Sequence, residues 1–134
     1  AKGAGVKISI KKVDEATYWD QYYMDTPFTN EYWSTRNYLM QANLCTGKKA
    51  QWDVTKWHDS EWQALVDEAW KTVDDAARNE LVKQAMTIEY ERGSYVVWGF
   101  KDMLDGQSEK IVGLVGDKGG NPLNDFKYNV LSFA

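Results

Sequence analysis

The sequence has very little cysteine and histidine: one residue of each among 134. Because a disulfide needs two cysteines, Cys45 cannot form one within the chain, and cysteine usage does not identify the compartment. A multi-histidine metal site cannot be built around His58 alone, and its position before a helix cap favours a loop residue over a catalytic base. We therefore expect no catalytic residues, no metal and no cofactor.

Charge of one sign and long apolar runs are also lacking. The net charge is -4, with 16 Lys and Arg interspersed among 20 Asp and Glu, so the basic field that nucleic acid binding needs is absent. Apolar runs such as "SYVVWGF" are far shorter than the roughly 20 residues that cross a bilayer, and the first residues do not resemble a signal peptide. With 43% apolar residues, the chain has enough for a folded core.

Two short patterns fall short of an enzyme motif. "TGKKA" has the Gly-Lys pair of a phosphate-binding loop without its upstream glycine or following hydroxyl residue, and "GLVGDKGG" lacks dinucleotide spacing. Asp102 and Asp105 are near each other and could form an acid and base pair, although carboxylates beside a strand end are normally just solvated. The prediction is that the chain is not an enzyme, and the weakest alternative is a small hydrolase that uses acidic residues.

The first third predicts a strand, a helix and a short second strand. Val6, Ile8 and Ile10 alternate with polar residues, which is typical of a strand. Asp14 can cap the helix "DEATYWDQYYM", whose aromatic side indicates core packing for residues such as Trp19. "FTNEYW" is expected to be a strand, residues 37–44 a brief helix and "CTGKKAQWDVT" a loop.

The middle of the chain predicts two antiparallel helices. The first begins at a capping box of Ser60 and Gln63, and the second is capped by Asp74 or Asp75 and ends at Arg92-Gly93. A linker of two or three residues makes such helices pack as a pair. Apolar positions recur every three or four residues, and the side chains expected to face inward are Trp62, Leu65, Val66, Ala69, Trp70, Leu81, Val82, Ala85, Met86 and Ile88.

The last third predicts strands. "SYVVWGF" is short and rich in β-branched and aromatic residues, so a buried strand containing Trp98 is expected. "KIVGLV" is a second strand candidate, "GDKGGNP" a loop, and "FKYNVLSF" a last, edge strand.

The stretch from Trp57 to Gly106 resembles the C-terminal lobe of periplasmic dipeptide- and oligopeptide-binding proteins of ATP-driven importers (extracellular solute-binding protein family 5). A Trp, an Asp and an aromatic residue open a helix, Asp and Arg open a second helix, and an apolar strand follows. "AGVKISIKKVDEATYWDQ" also looks like the strand and helix that lead to the family's ligand loop. The residues that carry the pattern are Trp57, Asp59, Trp62, Leu65, Asp74, Arg78 and "YVVWGF".

The resemblance implies an α/β fold: one lobe of a two-lobed, type II periplasmic-binding-protein-like architecture, with a mixed sheet and an antiparallel helix pair. Residues 1–110 would be part of the C-terminal ligand-binding lobe, and residues 111–134 a tail that returns to the other lobe. The chain would be a fragment of a periplasmic solute-binding protein. Its expected partners are a peptide-like or small polar solute, a membrane permease and the missing N-terminal lobe. Without that lobe, the tail strands would pair within the chain, pair with a second copy as a homo-oligomer, or stay loosely held.

The same resemblance marks a candidate ligand-binding stretch. The family's ligand loop carries a Trp and then an Asp for the peptide ammonium, whereas this chain has Trp33 followed by Thr35 and Arg36. A guanidinium favours a carboxylate or phosphate, so we expect an acidic or polyhydroxylated ligand group there and disfavour a bare ammonium. Trp33 would offer a stacking face. The predicted ligand-binding residues are Tyr32, Trp33, Ser34, Thr35, Arg36 and Trp52.

Two alternatives stay open from the sequence. Trp33 can instead fill the core while Arg36 pairs with a carboxylate such as Glu31. The whole chain can instead be a stand-alone interaction or dimerisation domain that uses this fold without a transport role.

Overall fold

The computed structural model describes residues 1–117, 119 and 121–134. The predicted loop at "GDKGGNP" therefore lies partly outside the described residues. The chain divides into two compact units, Ala1–Asn30 and Glu31–Ala134. In the described part of the chain, no helix combines the length and the apolar character that a membrane crossing requires.

The first unit contains helical turns and no strand among its thirty residues. The strand predicted around Ile8 is wrong: this stretch is irregular, and the side chains of Val6, Ile8 and Ile10 are exposed. Alternation favours a strand only where a second strand accepts its backbone hydrogen bonds, and this unit has none. Asp14 does cap a helix, as predicted, because its Oδ1 accepts from the Thr17 backbone N–H at 3.0 Å.

That helix is short and changes its winding. Helix α1 (Glu15–Thr17) continues as one π-helical turn over Tyr18–Tyr22. The predicted aromatic side forms a local cluster in which the Trp19 ring meets those of Tyr18 and Tyr23 edge-on. Trp19 itself stays exposed, so its predicted burial in a core is wrong. Thirty residues contain too little apolar surface to cover it.

Three helices build the core of the second unit: α2 (Tyr38–Cys45), α3 (Ser60–Lys71) and α4 (Asp75–Arg92). All three were expected from the sequence within one or two residues. The caps are Asn37, Asp59 and Asp74, whose side chains each accept a backbone N–H from the first turn of the helix. Asp59 thus takes the capping role predicted for Ser60. The buried core residues are Leu39, Ala42, Trp62, Val66, Ala69, Ala85 and Ile88.

Helices α3 and α4 are antiparallel, as predicted. Arg92, the last residue of α4, reaches the first turn of α3, where its Nε lies 2.7 Å from Asp59 Oδ2 and its Nη2 lies 2.6 Å from Glu61 Oε2. The hydrogen bond from Arg92 lowers the pKa of Asp59 to about 2. One guanidinium therefore ties the C-terminus of α4 to the N-terminus of α3.

Two side chains of the predicted helix stripes are not in the core. Trp70 is 54% exposed and Met86 is 49% exposed, whereas Trp62 is 1% exposed. The stripe on α3 is wider than the surface that α2 and α4 cover, so the indole at its end meets solvent. Periodicity indicated the right face but could not show where the packing partner ends.

The segment after α4 contradicts the predicted buried strand. Residues 95–107 form neither helix nor strand, and Trp98 and Phe100 are 80% and 92% exposed. The strand propensity of "SYVVWGF" is not realised because the described residues provide no strand beside it.

The sheet has two short strands, β1 (Ile111–Val112) and β2 (Ser132–Phe133). They pair antiparallel, with Ile111 opposite Phe133. The tail strands thus pair within the chain, although the described residues form a two-stranded antiparallel sheet in place of the predicted mixed one. The second unit is a mixed, helix-rich domain compatible with the predicted α/β class.

The core position of Trp62 predicts a large effect of its truncation. Trp62→Ala should lower the free energy of unfolding by about 3–5 kcal/mol, because a cavity replaces a buried indole. Trp70→Ala, on the same helix, should change it by about 0.5 kcal/mol or less, because that indole is exposed. Urea denaturation followed by circular dichroism measures both. Similar losses in the two variants would contradict the assigned core.

The Arg92 ion pairs predict a pH dependence of stability. The pKa of Asp59 falls from an ordinary 3.8 to about 2 on folding, so its contribution is present above pH 4 and is lost as the pH drops toward 2. The melting temperature of Arg92→Gln should be lower than that of the unmodified chain at pH 6. It should also fall less than that of the unmodified chain between pH 4 and pH 2. Lys83→Gln, an exposed cation on α4, is the control. If melting temperature falls equally with pH in Arg92→Gln and Lys83→Gln, Arg92 does not stabilise the Asp59 carboxylate.

Candidate functional site

The stretch Glu31–Arg36, which leads into α2, is irregular and carries a stacked pair. The guanidinium carbon of Arg36 lies 5.1 Å from the centre of the Trp33 ring, within the range of a cation–π contact. Trp33 is half-buried while Arg36 is exposed. No ion pair between Arg36 and Glu31 forms, although both side chains are described. The indole therefore supports the guanidinium, and the fork of Arg36 stays available to an anion.

Unpartnered polar atoms are concentrated next to this pair. Both carboxylate oxygens of Glu31, the Nε1 of Trp33 and the Oε1 of Gln41 are buried without a hydrogen-bond partner among the described residues. A buried polar atom without a partner costs about 1–3 kcal/mol. Two acceptor groups and one donor are left open within eleven residues of sequence. Such a concentration is typical of a site that binds water or a ligand.

Cys45 lies close to several charged groups of this region. Its Sγ accepts a hydrogen bond from Gln41 Nε2 at 3.0 Å. Burial, and then the charge of Glu31, raise the pKa of the Cys45 thiol to about 12, while Arg36 acts in the opposite direction. A thiol with this pKa is uncharged at neutral pH and is not a nucleophile. Cys45 thus lines this region without reacting, as expected for a small buried side chain.

Tyr95 brings the segment after α4 to the same place. Its hydroxyl donates a long, 3.5 Å hydrogen bond to the carbonyl oxygen of Cys45. Burial, and then the nearby Glu31 charge, raise the pKa of Tyr95. The carboxylate is thus within reach of the phenol, and a side-chain hydrogen bond with Glu31 is among the causes that raise the pKa of Tyr95, although neither Glu31 oxygen has a partner at ordinary hydrogen-bond geometry. Glu31, Cys45 and Tyr95 come from three separate parts of the chain.

A hydrogen-bonded chain joins this region to the core. Trp62 Nε1 donates to the Tyr38 hydroxyl at 2.8 Å, and that hydroxyl donates to Glu89 Oε2 at 2.7 Å. Burial and the Glu89 carboxylate raise the pKa of Tyr38. Tyr38 is therefore a fixed neutral phenol that connects α2, α3 and α4.

The loop after α2 adds a buried carboxylate. Asp53 accepts from the Lys56 backbone N–H at 2.9 Å, and its second oxygen lies 3.8 Å from His58 Nε2. Both partners lie within five residues of Asp53 in the sequence, so Asp53 stabilises the turn in which it lies. The backbone N–H of Trp52 donates to the Leu44 carbonyl at 2.9 Å, which places Trp52 beside the end of α2.

The structure brings together only some of the predicted site residues. Trp33 and Arg36 are in contact, whereas Tyr32, Ser34 and Thr35 are exposed neighbours on the same stretch. Trp52 lies on a separate turn. The sequence analysis missed Gln41 and Tyr95 and assigned Glu31 only as a partner for Arg36. A buried carboxylate gives no local sequence signal when the phenol beside it lies 64 positions later in the chain.

No match to this chain was found among protein-family models, curated proteins or solved structures. In residues 1–117, 119 and 121–134, no group of three or more His, Cys, Asp and Glu side chains is arranged to hold a metal ion. Function is therefore inferred from the geometry of Glu31, Trp33 and Arg36. That geometry stacks the Arg36 guanidinium on Trp33 and places both Glu31 and Arg36 within electrostatic reach of Cys45. A carboxylate and a guanidinium in one region suit binding of a solute that carries both a cationic and an anionic group.

The surroundings of Cys45 predict low thiol reactivity. Alkylation by iodoacetamide at pH 8 should be at least about a hundredfold slower in the folded protein than in urea, because the thiolate is scarce and buried. Glu31→Gln should accelerate the reaction by lowering the pKa of the thiol. Glu91→Gln, an exposed carboxylate on α4, should not. Equal rates for the two variants would contradict the closeness of Glu31 to Cys45.

Proposed function

We propose that the chain is the solute-binding component, as a fragment, of an ATP-driven importer, and that it captures a peptide-like or related small polar solute. In this proposal it contributes part of the C-terminal lobe of a type II, two-lobed binding protein, acts outside the cytoplasm and hands its solute to a membrane permease. It performs no chemistry on the solute. The N-terminal lobe would supply the remaining contacts and close over the ligand.

One observation carries the proposal: the open indole N–H of Trp33 lies in the stretch that the family resemblance marks as the ligand loop, and the open carboxylate of Glu31 immediately precedes that stretch. In a protein whose only task is to stay folded, such groups would be paired. The positions of the helix pair add support, because Asp59 and Asp74 cap helices at the places where the resemblance has its Asp residues.

The charges of the site indicate the class of solute. Glu31 offers two acceptor oxygens, and Arg36 offers a fork of donors. A zwitterionic solute such as a short peptide carries a group for each. Arg36 would still disfavour an ammonium in its own surroundings, while Glu31 would provide the acid that the ligand loop otherwise lacks. Because the oxygens of Glu31 are buried, the irregular stretch around it must move for a ligand to reach them.

Thermal shift with dipeptides, opines and oligosaccharides tests the proposal. A bound solute at one hundred times its dissociation constant should stabilise the protein by about 2.7 kcal/mol. Arg36→Ala should lose this shift while its ligand-free melting temperature stays close to that of the unmodified chain. Arg36→Lys, which keeps the charge without the planar fork, should keep part of it.

Glu31→Gln is the second variant, with Glu91→Gln as its matched control. If the solute's ammonium binds Glu31, only Glu31→Gln weakens binding. The proposal is contradicted if a protein extended by its N-terminal lobe shows no thermal shift with any of the three solute classes. It is also contradicted if Arg36→Ala loses stability without ligand while its solute binding does not change.

A second candidate, an interaction or dimerisation domain, is favoured by the exposed apolar segment after α4. Val96, Val97, Phe100 and Leu104 are largely exposed on backbone without secondary structure. A second chain that adds a strand there would cover them. Light scattering during size-exclusion chromatography separates the candidates, because a concentration-dependent dimer without solute binding favours the interaction domain.

A further inference from the structure

A cleft of about 220 Å³ lies between α2 and α3. It shares no residue with the stretch Glu31–Arg36. Pockets for drug-sized ligands measure about 300–1,000 Å³, so this cleft suits a ligand of about one ring. Its lining includes Asn43, Lys48, Lys49, Gln63, Asp67 and Trp70.

Trp70 provides an aromatic wall for the cleft. Its indole is 54% exposed, although its position on α3 continues the apolar stripe of the core. An exposed indole beside a cleft offers a flat apolar face on which the C–H groups of a sugar ring can stack.

Lys48 and Lys49 make the cleft locally cationic in a chain of net charge -4. Neither ammonium group forms an ion pair with a described carboxylate. Asp67 is the one carboxylate among the described lining residues, so these residues carry two positive charges and one negative charge. An anionic group is favoured at the lysine side.

Gln63 fixes the geometry between these charges. Its Oε1 accepts from the Lys48 backbone N–H at 2.9 Å, and its Nε2 donates to Asp67 Oδ1 at 2.8 Å. The turn that carries the lysines is thereby attached to α3. The second oxygen of Asp67 and the side-chain amide of Asn43 make no hydrogen bond with the described residues, so they can bind hydroxyl groups.

We propose that this α2–α3 cleft binds a monosaccharide that carries an anionic group, either a carboxylate or a phosphate. The sugar ring stacks on Trp70, the anion binds Lys48 and Lys49, and ring hydroxyls bind Asn43 and Asp67. The site does not depend on the importer function proposed above, because it shares no residue with the ligand stretch.

Titration with glucuronate, glucose 6-phosphate and glucose tests the proposal. Binding is followed at low salt through the indole N–H resonance of Trp70 in ¹H–¹⁵N spectra. At least one anionic sugar should bind saturably and about tenfold or more tightly than glucose, because charge-assisted hydrogen bonds distinguish them. Whichever of glucuronate and glucose 6-phosphate binds more tightly shows whether the site prefers a carboxylate or a phosphate.

Two variants locate the site. Lys48→Ala/Lys49→Ala should weaken binding of the anionic sugar by about tenfold or more, and Lys83→Ala/Lys101→Ala, which removes two exposed cations elsewhere, should not. Trp70→Ala should remove binding as measured by calorimetry while circular dichroism stays unchanged. Equal binding of glucose and both anionic sugars, or equal binding by the two double variants, would overturn the proposal.

Discussion

The hydrogen-bonded chain from Trp62 through Tyr38 to Glu89 is the interaction on which the second unit depends. It joins one residue from each of the three core helices, with donor–acceptor distances of 2.8 and 2.7 Å. Trp62 is also the most deeply buried large side chain of the core. A half-satisfied buried network destabilises a fold more than an apolar one would. Because both links are made, the first residue of α2 is held against α3 and α4.

The candidate site differs from this network in its hydrogen bonding. The phenol of Tyr38 is fully hydrogen-bonded, whereas Glu31, Trp33 and Gln41, all within seven residues of it in the sequence, leave buried polar atoms open. The contrast argues against a uniformly loose structure, since neighbouring groups of the same kind are fully paired. Open hydrogen-bonding groups on a rigid support are expected where a ligand provides the missing hydrogen-bond partners. Arg36, stacked on Trp33, places a positive charge at the edge of that face.

The sequence was informative where the structural signal is local. Capping signals act within four residues, so α3 and α4 were predicted almost to their ends, although Asp59 and not Ser60 caps α3. It failed where the outcome depends on a distant partner: the stretches around Ile8 and Trp98 have strand patterns but no strand beside them. For the same reason, the role of Arg36 as a site residue could be predicted from the family resemblance of its own stretch, whereas Tyr95 and the burial of Glu31 could not be predicted. The two-lobed architecture and the transport role stay predictions.

The most direct measurement of the central claim is the indole N–H resonance of Trp33 in ¹H–¹⁵N spectra as a dipeptide is added. The account predicts that this resonance, whose N–H has no partner in the structure, moves downfield and saturates, while the resonance of Trp62, already bonded to Tyr38, stays in place. A Trp33 resonance that does not respond to dipeptides, opines or oligosaccharides, or that moves only together with that of Trp62, would contradict a ligand site at this stretch.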